Sequence, residues 1–110
     1  MLPVRLGRRN KFGNSRATGY DSNKEFRRAK ELELLQRAGV ITDLEQQVSF
    51  ELIPPQEGER SVSYVADFTY IEDGRYVVED VKSDFTRTLP VYVIKRKLMQ
   101  FIHGIKVKEV

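Results

Sequence analysis

The sequence predicts a mixed α+β domain: helix, three strands, helix, strand, with a mixed central sheet flanked by the helices. Three observations carry that prediction. Two runs rich in Val, Ile, Tyr, Phe and Thr flank Asp73-Gly74, a pair that closes two-residue β-hairpins. Ser22-Asn23-Lys24-Glu25 has the capping-box form that opens a helix. Pro90 opens a second segment whose apolar residues recur at helical spacing as far as Gly104.

In chain order, residues 1–20 contain three Gly, one Pro and five Arg or Lys and show no sustained apolar period. They read as a basic, mostly irregular arm, ordered through phosphate contacts on a nucleic acid, with Phe12 and Tyr20 either stacking on bases or pinning the arm to the domain. Residues 21–110 read as a single domain. Its first helix runs from the Ser22 cap to Ala38, with Phe26, Ala29, Leu32 and Leu35 on one side and Gly39 as the stop. Glu25 at the third helical position caps the helix or binds a metal or water; Arg27, Arg28 and Lys30 lie on the exposed arc. Gln46 to Ile53 alternates polar and apolar and ends at Pro54-Pro55, which makes it a strand. The hairpin supplies two more. Residues 83–89 are a polar connection. In the second helix Val91, Ile94, Leu98, Phe101 and Ile102 form the apolar stripe, Lys95, Arg96 and Lys97 lie off it, and His103 is a helix-end residue. Ile105 and Val107 begin a last strand.

The 110 residues carry no cysteine and one histidine, which excludes disulfides, thiolate and His-based zinc sites, and Cys or Ser-His-Asp nucleophiles. No apolar run of about 18 residues occurs, so no membrane is expected and the cytoplasm is the default location. Net charge is only +3, yet nine Lys/Arg against two acids in residues 1–30, and seven against two in residues 81–110, bracket a middle with three Lys/Arg and twelve acids. Basic ends around an acidic centre suit a polyanion gripped about a cation.

The hairpin shows where that cation would sit. With Asp73-Gly74 as the loop, Glu72 faces Arg75, Phe68 faces Glu79, and Asp67 faces Asp80. Two opposed carboxylates would have Cβ atoms ~5 Å apart and would repel. A divalent cation between them turns repulsion into ligation, since Mg²⁺ is commonly held by one or two carboxylates plus waters and phosphate. Lys82 shares the Asp80 face and lies next to Val65 of the partner strand, whereas Glu79 has the opposite parity.

An acid on one strand followed by acid-x-Lys on the next, here Asp67 and then Asp80-Val81-Lys82, resembles the PD-(D/E)XK nuclease superfamily. That superfamily often adds a glutamate from the first helix, a position that Glu25 matches. Ala66 stands where the signature's name has Pro. The segments KFGN, DSNKEFRRAKELELL, FELIP, YVADFTY and VVEDVKS further resemble a family of small phage-encoded, Holliday-junction-resolvase-like proteins within it. The resemblance implies a restriction-endonuclease-like core and Mg²⁺- or Mn²⁺-dependent DNA hydrolysis without a small-molecule cofactor. Asp67, Asp80 and Glu25 would serve the metal, and Lys82 would join them in catalysis. Lys95 or Lys97 would brace the phosphate, and Gln47 falls where the family carries a glutamine of undefined role; apart from the resemblance, Arg27 and Arg28 on the exposed arc either touch substrate phosphates or are simply solvated. It also implies a phage or prophage protein acting in the bacterial cytoplasm on DNA, branched DNA included. Cutting a junction needs paired sites and therefore a homodimer. The competing readings are a DNA- or RNA-binding module that keeps the fold without catalysis, and an RNA-binding accessory protein.

Overall fold

The computed structural model describes residues 5–8 and 23–110. The helix cap at Ser22 and the roles weighed for Phe12 and Tyr20 lie outside the described residues. Among the described residues five strands and two α-helices follow one another, with a short 3-10 turn (Thr86–Thr88) ahead of the second helix: β1 (Arg5–Arg8), α1 (Asn23–Arg37), β2 (Ile41–Ile53), β3 (Val62–Glu72), β4 (Arg75–Asp80), α2 (Pro90–His103) and β5 (Lys108–Glu109). They build one five-stranded sheet in sequential order, antiparallel except for the parallel β4–β5 pair. The order α-β-β-β-α-β and the mixed sheet are those expected. One strand is added: Arg5–Arg8, within the stretch that reads as irregular, pairs along the free edge of β2. Four residues are too few to show a period in the sequence, and the long β2 edge supplies the backbone partners.

Asp73 and Gly74 both have positive φ, 54° and 76°, the conformation of the tight turn whose twist matches its strands. The register that follows is the expected one, with Glu72 opposite Arg75 and Phe68 opposite Glu79. Gly39 and Gly104, at φ 83° and 69°, end the two helices in the left-handed conformation that glycine adopts without steric cost.

The helices cover opposite faces of the sheet. Ala29 and Leu32 of α1 pack on Ile41, Phe68 and Tyr70, with Val77 and Val81 beside them. Met99 of α2 packs on Val48, Phe50, Leu52, Tyr64, Ala66 and Val78. The orientation of α2 departs from expectation at four of the five stripe residues: Val91 is 66%, Ile94 58% and Phe101 86% exposed, and Ile102 is exposed as well. Leu98 packs on the core as expected, and Tyr92, Arg96, Met99 and His103, a second stripe at helical spacing, make the rest of the contact with the sheet. Polar bonds select it. Tyr92 and Arg96 both donate to Glu109, and His103 Nε2 donates to the Glu51 carbonyl at 2.8 Å. Among the described residues no helix is long and apolar enough to cross a membrane.

Candidate active site

Strands β2 and β3 change faces together at the level of the site. Tyr64 and Ala66 belong to the α2-side core, while Phe68 and Tyr70, of the same parity, belong to the α1-side core. The period-two alternation therefore slips at Asp67. On β2 the slip falls at Gln47, bracketed by the pairs Gln46–Phe68 and Val48–Ala66, whose φ of 56° is uncommon for a residue with a side chain. Its Nε2 donates to Asp67 Oδ1 at 3.3 Å, and the Val81 N–H donates to Asp67 Oδ2 at 2.9 Å. Asp67 is thus aimed from two sides.

Asp80, at the end of β4, is 1% exposed. The Tyr64 hydroxyl donates to its Oδ2 at 2.5 Å, and Lys82 Nζ lies 3.3 Å from the same oxygen. Its Oδ1 is buried and accepts no hydrogen bond from the described residues. Burial first, and the adjoining Asp67 carboxylate second, push the Asp80 pKa up to about 8; Lys82 and the Tyr64 hydroxyl pull the other way without cancelling them. A buried carboxylate oxygen without a donor, beside a second carboxylate, fits a hard divalent cation. Asp67 and Asp80 are the residues that would hold it.

Lys82 extends past β4 with its own backbone held: its N–H donates to the Val110 carbonyl, and its carbonyl accepts from Lys24 Nζ of α1 at 3.1 Å. The ammonium sits 4.8 Å from the centroid of the Tyr92 ring, which positions it over an aromatic face. Asp80, Lys82, Tyr64, Tyr92 and Lys95 line an open cavity of about 410 Å³, walled by Val65 and by the apolar side chains of Leu89 and Val91. A cavity lined by one carboxylate and two ammonium groups suits a phosphate together with a cation.

A family model described as a protein of unknown function, DUF1064, matches residues 10–108. The chain belongs to the DUF1064 family. No curated protein and no solved structure matches it.

In this DUF1064 chain the residues singled out from sequence do not all assemble. Asp67, Asp80 and Lys82 come together, Gln47 stands behind Asp67, and Lys95 lines the cavity. Glu25 is buried in the first turn of α1, on the side of that helix that carries Ala29 and Leu32, one residue from the Lys24 contact to Lys82. Among the described residues no three carboxylate or imidazole groups gather as a ready ligand set. Arg27 is exposed. Arg28 is not on the exposed arc: it is half-buried, and its Nε and Nη2 fork onto both oxygens of Glu79 at 2.5 and 2.9 Å. Glu79 is fully buried, takes a further bond from the Tyr70 hydroxyl at 2.6 Å, and so belongs to the α1 side, as its parity requires. Lys97 lies off the cavity, around the helix from Lys95, beside Arg96 and Lys106. Tyr64 and Tyr92 had no signal in the sequence. Strict alternation places Tyr64 on the wrong face, and only the slip at Asp67 brings its hydroxyl to Asp80.

Proposed function

We propose that this DUF1064 chain is a divalent-metal-dependent DNA endonuclease of the PD-(D/E)XK kind, phage-encoded and acting on branched or recombination-intermediate DNA in the cytoplasm of a bacterial host. One observation carries the reading: Asp80 is buried with a carboxylate oxygen that no described residue satisfies, against Asp67 and within reach of Lys82. No folding requirement calls for that arrangement, and burying it weakens the fold. Mg²⁺ or Mn²⁺ bound there supplies a Lewis acid for the phosphoryl oxygen and a more acidic water.

The chain's own groups do the rest. Gln47 and the Val81 N–H fix the Asp67 carboxylate, which leaves one lone pair on each oxygen for the cation. Tyr64 and Lys82 hold Asp80 Oδ2, which leaves Oδ1 without a partner among the described residues and available to a cation. The Lys82 ammonium orients the attacking water and meets the negative charge that develops on phosphorus-bound oxygens, and Lys95, which lines the same cavity, pairs with the phosphate. Addition of water across the P–O bond leaves a phosphate monoester and a free hydroxyl. Paired cuts in a junction need two such sites, hence a homodimer.

Incubation of the protein with linear, flapped and four-way DNAs in Mg²⁺ or Mn²⁺ tests this. Cleavage that requires the cation and disappears in Asp80→Ala is the expected result. Binding without cleavage of any substrate favours a non-catalytic DNA-binding module, and cleavage undiminished in Asp67→Ala/Asp80→Ala overturns the site.

A further inference from the structure

A second cavity, of about 230 Å³, lies between α2 and the approach to β5 and is lined by Arg96, Lys97, Gln100, Lys106, Val107 and Glu109. Three cations face one carboxylate there. That carboxylate is already engaged: Glu109 Oε2 accepts from the Tyr92 hydroxyl at 2.5 Å and from Arg96 at 2.9 Å, and Arg87 Nε stands 4.0 Å from Oε1, buried and without a hydrogen-bond partner among the described residues. Lys97 and Lys106 are exposed, and neither has an ion-pair partner among the described residues. The cavity therefore holds more positive charge than its walls answer, with the Gln100 amide as an additional donor.

Its place in the fold gives the charge a use. Glu109 is the register partner of Asp80 on the adjacent parallel strand, a spacing of about 5 Å. The Tyr92 ring stands between the two cavities, with Lys82 Nζ 4.8 Å and Arg96 Cζ 5.4 Å from its centroid. We propose that this second cavity binds a backbone phosphate of the nucleic-acid strand whose neighbouring phosphate lies at the Asp67–Asp80 pair. The inference rests on the nucleic-acid part of the reading above, not on cleavage. A strand held at both points is fixed in direction across the metal site, which one phosphate contact alone would leave free to swivel.

The test reads binding rather than hydrolysis. Fluorescence anisotropy of a labelled DNA in EDTA, repeated over a range of salt, gives the number of neutralised phosphates from the slope of log K against log salt. Lys97→Ala/Lys106→Ala in the full chain is expected to bind more weakly and to lower the slope by about 1 for each phosphate no longer neutralised, while Lys30→Ala, an exposed lysine of α1, leaves the slope as it is. An unchanged slope in the double variant overturns the proposal, and so does an equal fall in Lys30→Ala, which reports net charge only. Stronger capture on anionic lipid vesicles than on DNA, abolished by the double substitution, overturns the assignment to nucleic acid. A protein that cuts DNA but keeps its slope sinks this cavity and spares the nuclease reading; one that never cuts but shows the shallower slope does the reverse.

Discussion

Asp80 combines a buried carboxylate, a close like charge and one unsatisfied oxygen, and this combination sets a pH dependence with a definite sign. Its folded pKa of about 8 stands above the ordinary 3.8, so the native state binds the proton more tightly than the unfolded chain does. Stability from this group is greatest below about pH 4 and is lost as pH rises towards 8. Asp80→Asn removes the ionisation. In EDTA it should raise the melting temperature at pH 8, by several degrees for each kcal/mol of relief, and converge with the wild type near pH 4. Thermal scans across that range check it; a variant less stable at pH 8 contradicts the assignment. In the wild type, added Mn²⁺ should stabilise most at high pH, where the cation need not displace a proton. Gln47 makes a second case. Gln47→Ala keeps the strained φ but frees Asp67 Oδ1, and is expected to weaken metal affinity 10–100-fold, as loss of a ligand's supporting hydrogen bond does, with DNA binding in EDTA unchanged. Isothermal titration with Mn²⁺ decides. The strained glutamine is a backbone device with no trace in composition or periodicity; the family resemblance marked its position, and its role needed the structure.

At the level of elements, the β3–β4 hairpin was legible because a two-residue Asp-Gly turn admits one register, which holds from Glu72–Arg75 to Phe68–Glu79; Asp67 and Asp80 fall just beyond that ladder, where the alternation slips. The helix ends were legible for the same reason, since Gly39, Pro90 and Gly104 act locally. The stripe of α2 misled, because two stripes compete on that helix and hydrogen bonds to Glu109 and Glu51, residues distant in sequence, choose between them. Arg28 misled too. A long cationic side chain on a helix reads as solvated until a buried acid is found under it. The Glu79–Arg28–Tyr70 cluster anchors α1 to β4, the strand that carries Asp80, on the face opposite the metal pair. Glu79→Gln takes the buried anion from Arg28, leaves it only the exposed Glu31 at 3.0 Å, and should cost about 2 kcal/mol in urea unfolding. Any activity that survives should keep its metal dependence. If instead Mn²⁺ no longer stabilises the folded variant, Glu79 rather than Asp80 is the ligand and the face assignment is wrong.

On the scale of the whole molecule, α2 carries a charged and an apolar surface. Lys95 lines the cavity at Asp80, and Arg96 and Lys97 line its neighbour. The apolar surface presents Val91, Ile94, Phe101 and Ile102 to solvent, with Phe85 and Leu89 from the preceding connection also exposed. Apolar side chains gathered on one helix face mark an interaction surface. Under the junction cleavage proposed above a second copy would be the occupant, and Val91 and Leu89 border the cavity, so a two-fold contact there would set two sites side by side. A stable dimer buries about 800 Å² per partner, which calls for most of this stripe and its neighbours rather than Phe101 alone. The chain mass is 12.8 kDa, and light scattering of the wild type should report twice that at micromolar concentration. Ile94→Asp/Phe101→Asp should report a single chain that melts as the wild-type monomer does, since both positions are exposed. Lys95 and Lys97 flank the stripe on each copy and repel across the contact, so added salt should tighten the dimer while it weakens DNA binding. On four-way DNA the monomeric variant should nick single strands without coupling the two cuts. A wild type that stays monomeric at high protein and high salt removes the dimer, and with it the coupled cleavage of junctions.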